Sequence, residues 1–320
     1  MSDVPRTVTI TEEGPREGFQ IEPGPIPASD KAHLINALSG TGLKRIQTVS
    51  FVSAARVPGM ADAEQVVAQI SPVDGVEYTA LWYNERGLDR ARATNKLHLE
   101  GKISLYASDQ FLLRNLNRTP ASHFSETRRN LQHYKALGIP VQTGTIAAAF
   151  GCNFANDIPT ERIMTLVRQI FEIAAEHALD IQRLNLADTM AWATPKTVKE
   201  LVGTIRDRFP DLTIELHLHD TRGLGIANAL AGLQMGVEHF DTSVAGLGGC
   251  PFAAHKGAAG NVCTEDLVFM CDEMGIATGV NLEELIECAL LAEKIVGHPL
   301  PGSVMKGGSL NALRAAGGRS

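Results

Sequence analysis

Apolar positions along this chain change period again and again. Short runs rich in Val, Ile, Leu and Thr predict strands over 7–11, 45–52, 77–82, 102–107, 140–148, 181–187, 213–219 and 239–245. Between them, helical spacing of apolar residues predicts helices over 29–39, 62–70, 85–94, 122–136, 159–178, 195–209 and 223–235, with another over 264–274 after the eighth strand. Pro159 and Pro195 fall at or near first helical turns, where a missing N–H does no harm. Ser29 with Asp30, and Thr194, are the expected N-caps. Eight strands, each followed by a helix, predict an α/β fold: a closed (β/α)8 TIM barrel over about residues 7–280. An amphipathic helix over 281–296, the breaker Pro299-Leu300-Pro301-Gly302 and a Gly-, Ala- and Ser-rich tail make 281–320 a C-terminal helical extension. No linker-like stretch divides the 320 residues, so 1–320 reads as a single domain. A doubly wound open sheet is the competing architecture. The Gly fingerprint for a nucleotide phosphate is missing after the first strand, which counts against it.

Composition narrows the class. Hydrophobic residues are 44% and charged residues 20%, so a sizeable core is expected. The net charge of -7, with no long basic run, argues against a nucleic-acid partner or an anionic membrane surface. No apolar stretch has the length of a membrane span, and residues 1–6 lack the apolar core of a signal peptide. Five Cys at irregular spacing do not form a disulfide framework, and a reducing cytoplasm is the expected compartment. Cys263, Cys271 and Cys288 read as buried small hydrophobes, and Cys152 as packing.

The polar residues that interrupt the apolar pattern collect at one set of ends. Arg16, Glu17, Ser53, Ser108, Asp188, His217, His219 and Cys250 all fall at or just beyond C-terminal strand ends, the face on which barrel enzymes place their chemistry. Residues two apart in a strand point the same way, so His217 and His219 can offer two imidazoles to one metal while Leu218 packs. With the Glu17 carboxylate and the Asn261 amide oxygen they form a plausible divalent-metal site with room for substrate oxygens. Plainer readings stand beside these. Arg16 can be a barrel-mouth salt bridge to Glu17, and Asn261 a turn residue or an N-cap. Cys250, on the loop Gly246-Leu247-Gly248-Gly249, is either a buried small residue or a reactive thiol. Asp220 reads as a partner of an imidazole or of backbone. Glu265 reads as a first-turn charge or as a partner within the site. His255 and Lys256 either meet an anionic group or are solvated. His33, His98, His123, His133, His177 and His298 lack companion groups and read as ordinary histidines.

Several segments, in order, resemble one family. Ser243-Val244-Ala245-Gly246-Leu247-Gly248-Gly249-Cys250-Pro251-Phe252 is similar to the signature loop of 3-hydroxy-3-methylglutaryl-CoA lyases. The His-x-His segment 216–220, Gly14-Pro15-Arg16-Glu17-Gly18-Phe19-Gln20, 48–53, and Gly260-Asn261 with Thr264-Glu265-Asp266 resemble the same family. The wider group is the metal-dependent TIM-barrel lyases and synthases. The resemblance runs from about residue 7 to 297 and is weak over 76–124. It implies retro-Claisen cleavage of a branched 3-hydroxyacyl-CoA, such as 3-hydroxy-3-methylglutaryl-CoA or citramalyl-CoA, to acetyl-CoA and an oxo acid. It further implies that Glu17, His217, His219 and Asn261 hold Mg2+ or Mn2+. Arg16, Cys250, Asp188 and His217 would then act in catalysis, and Arg16, Gln20, Ser53, Ser108 and Thr189 would meet the acyl-CoA.

The chain departs from that family in places. Glu17 stands where the family usually has Asp, Gln47 where it has an acid, and Ile21-Glu22-Pro23 where it has Asn-Glu-Lys. Trp82-Tyr83-Asn84, Ser108-Asp109-Gln110-Phe111 and Met190-Ala191-Trp192 point to a pocket reshaped around a different acyl group. Two rival functions follow. One is a Claisen-condensing synthase, disfavoured because its relatives carry extra C-terminal domains. The other is a barrel that binds acyl-CoA without catalysis, disfavoured because His217, His219, Asn261 and Cys250 are all present. The expected partner beyond the acyl-CoA is a second copy, giving a homodimer or higher homo-oligomer.

Overall fold

The computed structural model of the chain describes residues 4–248 and 260–317. β1 (Thr9–Glu12) leads into α1 (Gly14–Ile21) and α2 (Ala28–Ser39), and β2 (Arg45–Ser50) into α3 (Ala63–Ala68). β3 (Glu77–Leu81) precedes α4 (Glu85–Ala93), and β4 (Gly101–Tyr106) precedes α5 (Asp109–Leu116) and α6 (Pro120–Ala136). The alternation continues with β5 (Val141–Ala147), α7 (Thr160–Glu176), β6 (Arg183–Ala187), α8 (Pro195–Arg208), β7 (Thr213–His217), α9 (Gly225–Gln234), β8 (His239–Thr242) and α10 (Thr264–Glu273). The C-terminal extension is α11 (Leu282–Val296), α12 (Val304–Gly307) and α13 (Leu310–Gly317).

The strands form one parallel sheet in the order β3-β2-β1-β8-β7-β6-β5-β4. Pairing of β1 with β8, from Thr9 opposite His239 to Glu12 opposite Thr242, joins the first strand to the last and makes the order cyclic. That is the neighbour pattern of a TIM barrel and not of a doubly wound sheet. At the eighth interface, between β3 and β4, no ladder forms among the described residues. The His98 N–H donates to the Tyr78 carbonyl there at 2.7 Å. Below that seam, Glu100 accepts from Arg45 at 2.6 Å, from Thr143 Oγ1 at 2.8 Å and from Arg183. One buried carboxylate thereby clasps β2, β5 and β6 to the start of β4. The two guanidinium groups outweigh the cost of its burial and hold its pKa at about 2.

Local chemistry explains most boundaries. Thr194 caps α8 in a reciprocal capping box with Thr197, and Pro195 takes N1. α2 starts a residue earlier than the sequence predicts, at Ala28. Its N-cap is Pro27, so Ser29 is inside the helix and caps nothing. α1 and α5 are helices where the apolar period showed none. α1 is entered through Pro15 in its first turn, and α5 is capped by the Ser108 hydroxyl, which accepts from the Phe111 N–H at 3.1 Å. Leu184, Leu186, Ile214, Leu216 and Phe240 are fully or almost fully buried between strands and helices. The barrel axis is polar instead. A cavity of about 380 Å³ opens among the first residues of β2, β3, β6 and β8 and reaches up to Glu13, Gln47 and Asp241.

Candidate active site

The alternation of β7 sets the site. Leu216 and Leu218 are fully buried in packing, while His217 and His219 turn the other way. Their Nε2 atoms approach to 3.1 Å and the ring planes differ by 60°. His219 lies just past the end of β7 and forms an antiparallel bridge with Asn261. The Asp220 N–H donates to the Gly260 carbonyl at 2.7 Å, and the Val262 N–H to the Leu218 carbonyl at 2.9 Å. This short ladder carries Asn261 to His219 across 42 residues of chain. Gly248 completes the approach. Its φ is +94°, and a Cβ there would stand 2.9 Å from Glu17 Cβ and 3.1 Å from Asn261 Oδ1.

Glu17, in the first turn of α1, points its carboxylate at the same place. Oε1 lies 3.8 Å from His217 Nε2, and Oε2 lies 3.7 Å from His219 Nε2. Glu17, His217 and His219 each offer a ligand atom within one small sphere. The hydrogen-bond accounting fits a cation site. Glu17 Oε2 and both amide atoms of Asn261 are buried without a partner, which is costly for groups that remain unligated. Two imidazole nitrogens, a carboxylate and an amide oxygen are a donor set for a divalent ion. Burial opposes charge on His217, but the carboxylates of Glu17, Asp241 and Glu13 outweigh it and raise its pKa well above the ordinary value. Burial likewise opposes charge on Glu17, yet Arg16, His217 and His219 hold its pKa well below the carboxylate range. The pocket is built for positive charge.

The remaining predicted residues divide into two groups. Arg16 is buried and pairs with Glu17 at 2.7 Å and with Glu13 at 2.9 Å. Asp188 is buried beyond β6. Its Oδ1 accepts from the Trp192 and Ala193 N–H groups at 2.7 and 3.0 Å, while Oδ2 has no partner. Burial raises its pKa to about 6, against the pull of His219 and those two N–H groups. Arg16, Glu17, Asp188, His217, His219 and Asn261 are thus drawn to one end of the barrel. The others have local bonds instead. Gln20 Oε1 accepts from Ser50 Oγ at 3.4 Å. Thr189 Oγ1 accepts from the Ala148 N–H at 2.9 Å. Ser108 caps α5 and accepts from Cys152 Sγ at 3.2 Å. Ser53 is exposed in the turn after β2. Asp220 takes the backbone role, accepting from the Gly225 N–H at 2.6 Å. Cys250, His255 and Lys256 lie outside the described residues.

Glu12, Glu13, Asp241 and Asn185 of this end went unread in the sequence, while Glu265 was read as a first-turn charge or a partner within the site and Gln47 as a departure from the family's acid. Glu12 is fully buried and accepts from the N–H groups of Gly14 and Val244 and from Thr264 Oγ1, at 2.7, 2.9 and 2.6 Å. It ties β1 to the segment after β8, and burial raises its pKa to about 8. Glu265 accepts from the Ala245 N–H at 3.0 Å and holds that residue at φ +58°. Asp241 lies 3.2 Å from His217 Nδ1 and accepts from Asn185 Nδ2 at 2.8 Å. With Nδ1 donating, Nε2 is left free for a metal. Glu13 and Gln47 meet Arg16 and each other. A polar residue inside an apolar strand, as at Gln47, Asn185 and Asp241, was the available signal.

The HMGL-like family model matches residues 7–291. The hydroxymethylglutaryl-CoA lyase of Bacillus subtilis is 38% identical over 308 residues, covering 93% of this chain and 96% of that protein. The (R)-citramalyl-CoA lyase of Chloroflexus aurantiacus is 37% identical over 313 residues, covering 94% and 95%. Among solved structures, an HMG-CoA lyase from Acinetobacter baumannii in complex with coenzyme A and 3-methylmalate superposes with a TM-score of 0.85 at 36% identity, over 97% of each chain. On the family match over residues 7–291 and these near-complete alignments, the chain belongs to the HMGL-like family.

Proposed function

We propose that this protein is a divalent-metal-dependent lyase that cleaves the C–C bond of a branched 3-hydroxyacyl-CoA to acetyl-CoA and an oxo acid. One observation carries the reading. Glu17, His217, His219 and an unpartnered Asn261 amide converge beside Arg16 and the free oxygen of Asp188. Glu17, His217, His219 and Asn261 would hold the ion, Mg2+ or Mn2+. When bound, it supplies Lewis acidity and orientation to substrate oxygens. Asp188 Oδ2, whose pKa is near neutrality, takes the 3-hydroxyl proton. The C2–C3 bond breaks, its electron pair moves toward the thioester, and the C3–O group becomes a carbonyl. Arg16, charged at every working pH, offsets the negative charge that collects on the thioester oxygen. Cys250 then delivers a proton to C2, and acetyl-CoA leaves. Gln20, Ser53, Ser108 and Thr189 would line the path of the acyl-CoA.

The substrate class rests on two relatives of near-equal similarity, one named for 3-hydroxy-3-methylglutaryl-CoA and one for citramalyl-CoA. No helix among the described residues is long and apolar enough to cross a membrane, and we place the enzyme in the cytoplasm. The assembly we propose is a homodimer or higher homo-oligomer, which sedimentation velocity tests. The test of function is acetyl-CoA release, followed by mass, from a panel of branched 3-hydroxyacyl-CoAs with Mg2+ or Mn2+. Release from one member that EDTA abolishes supports the reading. Release unaffected by EDTA refutes the metal, and no release from any member, with metal bound, refutes the cleavage.

A further inference from the structure

Glu13 occupies the N-cap position of α1, where an acidic side chain ordinarily turns back to cap its own helix. It makes no such bond. Its carboxylate points into the barrel axis instead, and its side chain is 5% exposed. There Oε2 takes Arg16 Nη2 at 2.9 Å, and Oε1 accepts from Gln47 Nε2 at 2.7 Å. The other end of the Gln47 amide accepts from Arg16 Nε. With Glu17 on Nη1 at 2.7 Å, all three guanidinium nitrogens are anchored. A guanidinium tied at three points cannot rotate about its long stem.

We propose that Glu13 and Gln47 act as a coupled acid–amide pair that orients Arg16 for the substrate, Glu13 being a positioning residue that never touches the reacting atoms. The inference rests on the lyase reading above. Residue types at the two positions are complementary. An amide at position 47 offers both the acceptor that Arg16 Nε needs and the donor that Glu13 needs. A carboxylate at 47 would set two like charges at hydrogen-bond distance. An amide at 13 in the wild-type context would leave Glu17 as the one carboxylate on Arg16. Exchanging both residues preserves the charge and the pattern of donors and acceptors. Glu13 also comes within 3.3 Å of His217 Nδ1, but Asp241 holds that nitrogen at 3.2 Å and keeps it when Glu13 changes.

The test compares E13Q, Q47E and E13Q/Q47E with wild type in three measurements. In steady-state cleavage, each single variant loses about tenfold or more in kcat with KM changed by under about threefold. The double variant returns to within about threefold of wild type. Mn2+ titrations followed by electron paramagnetic resonance give affinities within about threefold for all four proteins. A double variant whose loss is the product of the two single losses overturns the pairing. So does an E13Q protein whose turnover falls only in step with lost Mn2+. If wild-type protein cleaves no substrate, the lyase reading has failed. The pair is then judged by urea unfolding of metal-free protein. Midpoints lowered in both single variants and regained in the double support it, and additive losses overturn it.

Discussion

Asp188→Asn should make the protein more stable and nearly inactive at once. The carboxylate is buried, with one oxygen holding the Trp192 and Ala193 N–H groups and the other bare. An asparagine oxygen can keep the two backbone bonds, so the loop after β6 stays in place. The folded pKa of about 6 lies some two units above the ordinary 3.8. At ~1.4 kcal/mol per unit, ionised Asp188 costs about 3 kcal/mol in metal-free protein. The sign follows from the raised value. Below pH ~3.8 both states are protonated and no cost exists. Between ~3.8 and ~6 only the native state holds the proton, and the cost grows with pH. Above pH ~6 it is complete. Asn removes it, so in EDTA the variant should gain about 3 kcal/mol at pH 7.5 and about half of that at pH 5. Proton removal is lost with it, which predicts a fall of about 10²–10⁴ in kcat. Urea unfolding at the two pH values and acetyl-CoA release measure the two halves. A variant less stable than wild type at pH 7.5, or one within tenfold of its turnover, refutes the reasoning.

Three further outcomes are expected. His219→Ala should keep the circular dichroism and melting profile of wild type but lose Mn2+ binding in calorimetry together with turnover, because it removes one of two nitrogen donors. Gly248→Ala puts a Cβ 2.9 Å from Glu17 at a φ of +94°, and should cost about tenfold or more in Mn2+ affinity by the same calorimetry. Glu100→Gln should destabilise by about 3 kcal/mol at pH 7, from a pKa held near 2 rather than 4.5. That difference is complete above pH ~4.5 and disappears as the pH falls through ~2. Urea midpoints of wild type and variant between pH 7 and 2 should converge accordingly.

The eight strands were legible because each is a short apolar run closed by a turn, and His217 and His219 because period two fixes their common face. α1 was hidden because Gly14-Pro15 reads as a break, although Pro in the first turn opens a helix as readily as it ends one. α5 was hidden because its cap, Ser108, reads equally well as a substrate contact. Among the acids, Glu17 was found from its place beside Arg16. Glu12, Glu13 and Asp241 were not, because nothing local distinguishes a carboxylate headed for solvent from one headed for a buried Arg or an orphan N–H. That fate is decided by partners far off in the chain, Gln47 for Glu13, Asn185 for Asp241 and Thr264 for Glu12, at separations of 34, 56 and 252 residues.

The break in the ladder between β3 and β4 has a mechanical side. A rolled sheet with one unlaced interface has two margins, and opening starts at margins, where the fewest bonds must part. Counted along the ladder, β8 and β7 are at its centre and β1 is next to them, each at least two strands from either margin. These are the strands that deliver Glu17, Asp241 and His217. The barrel therefore breathes on the side away from its proposed metal ligands. Amide hydrogens of β3 and β4 should exchange with solvent long before those of β8, with the catalytic geometry undisturbed.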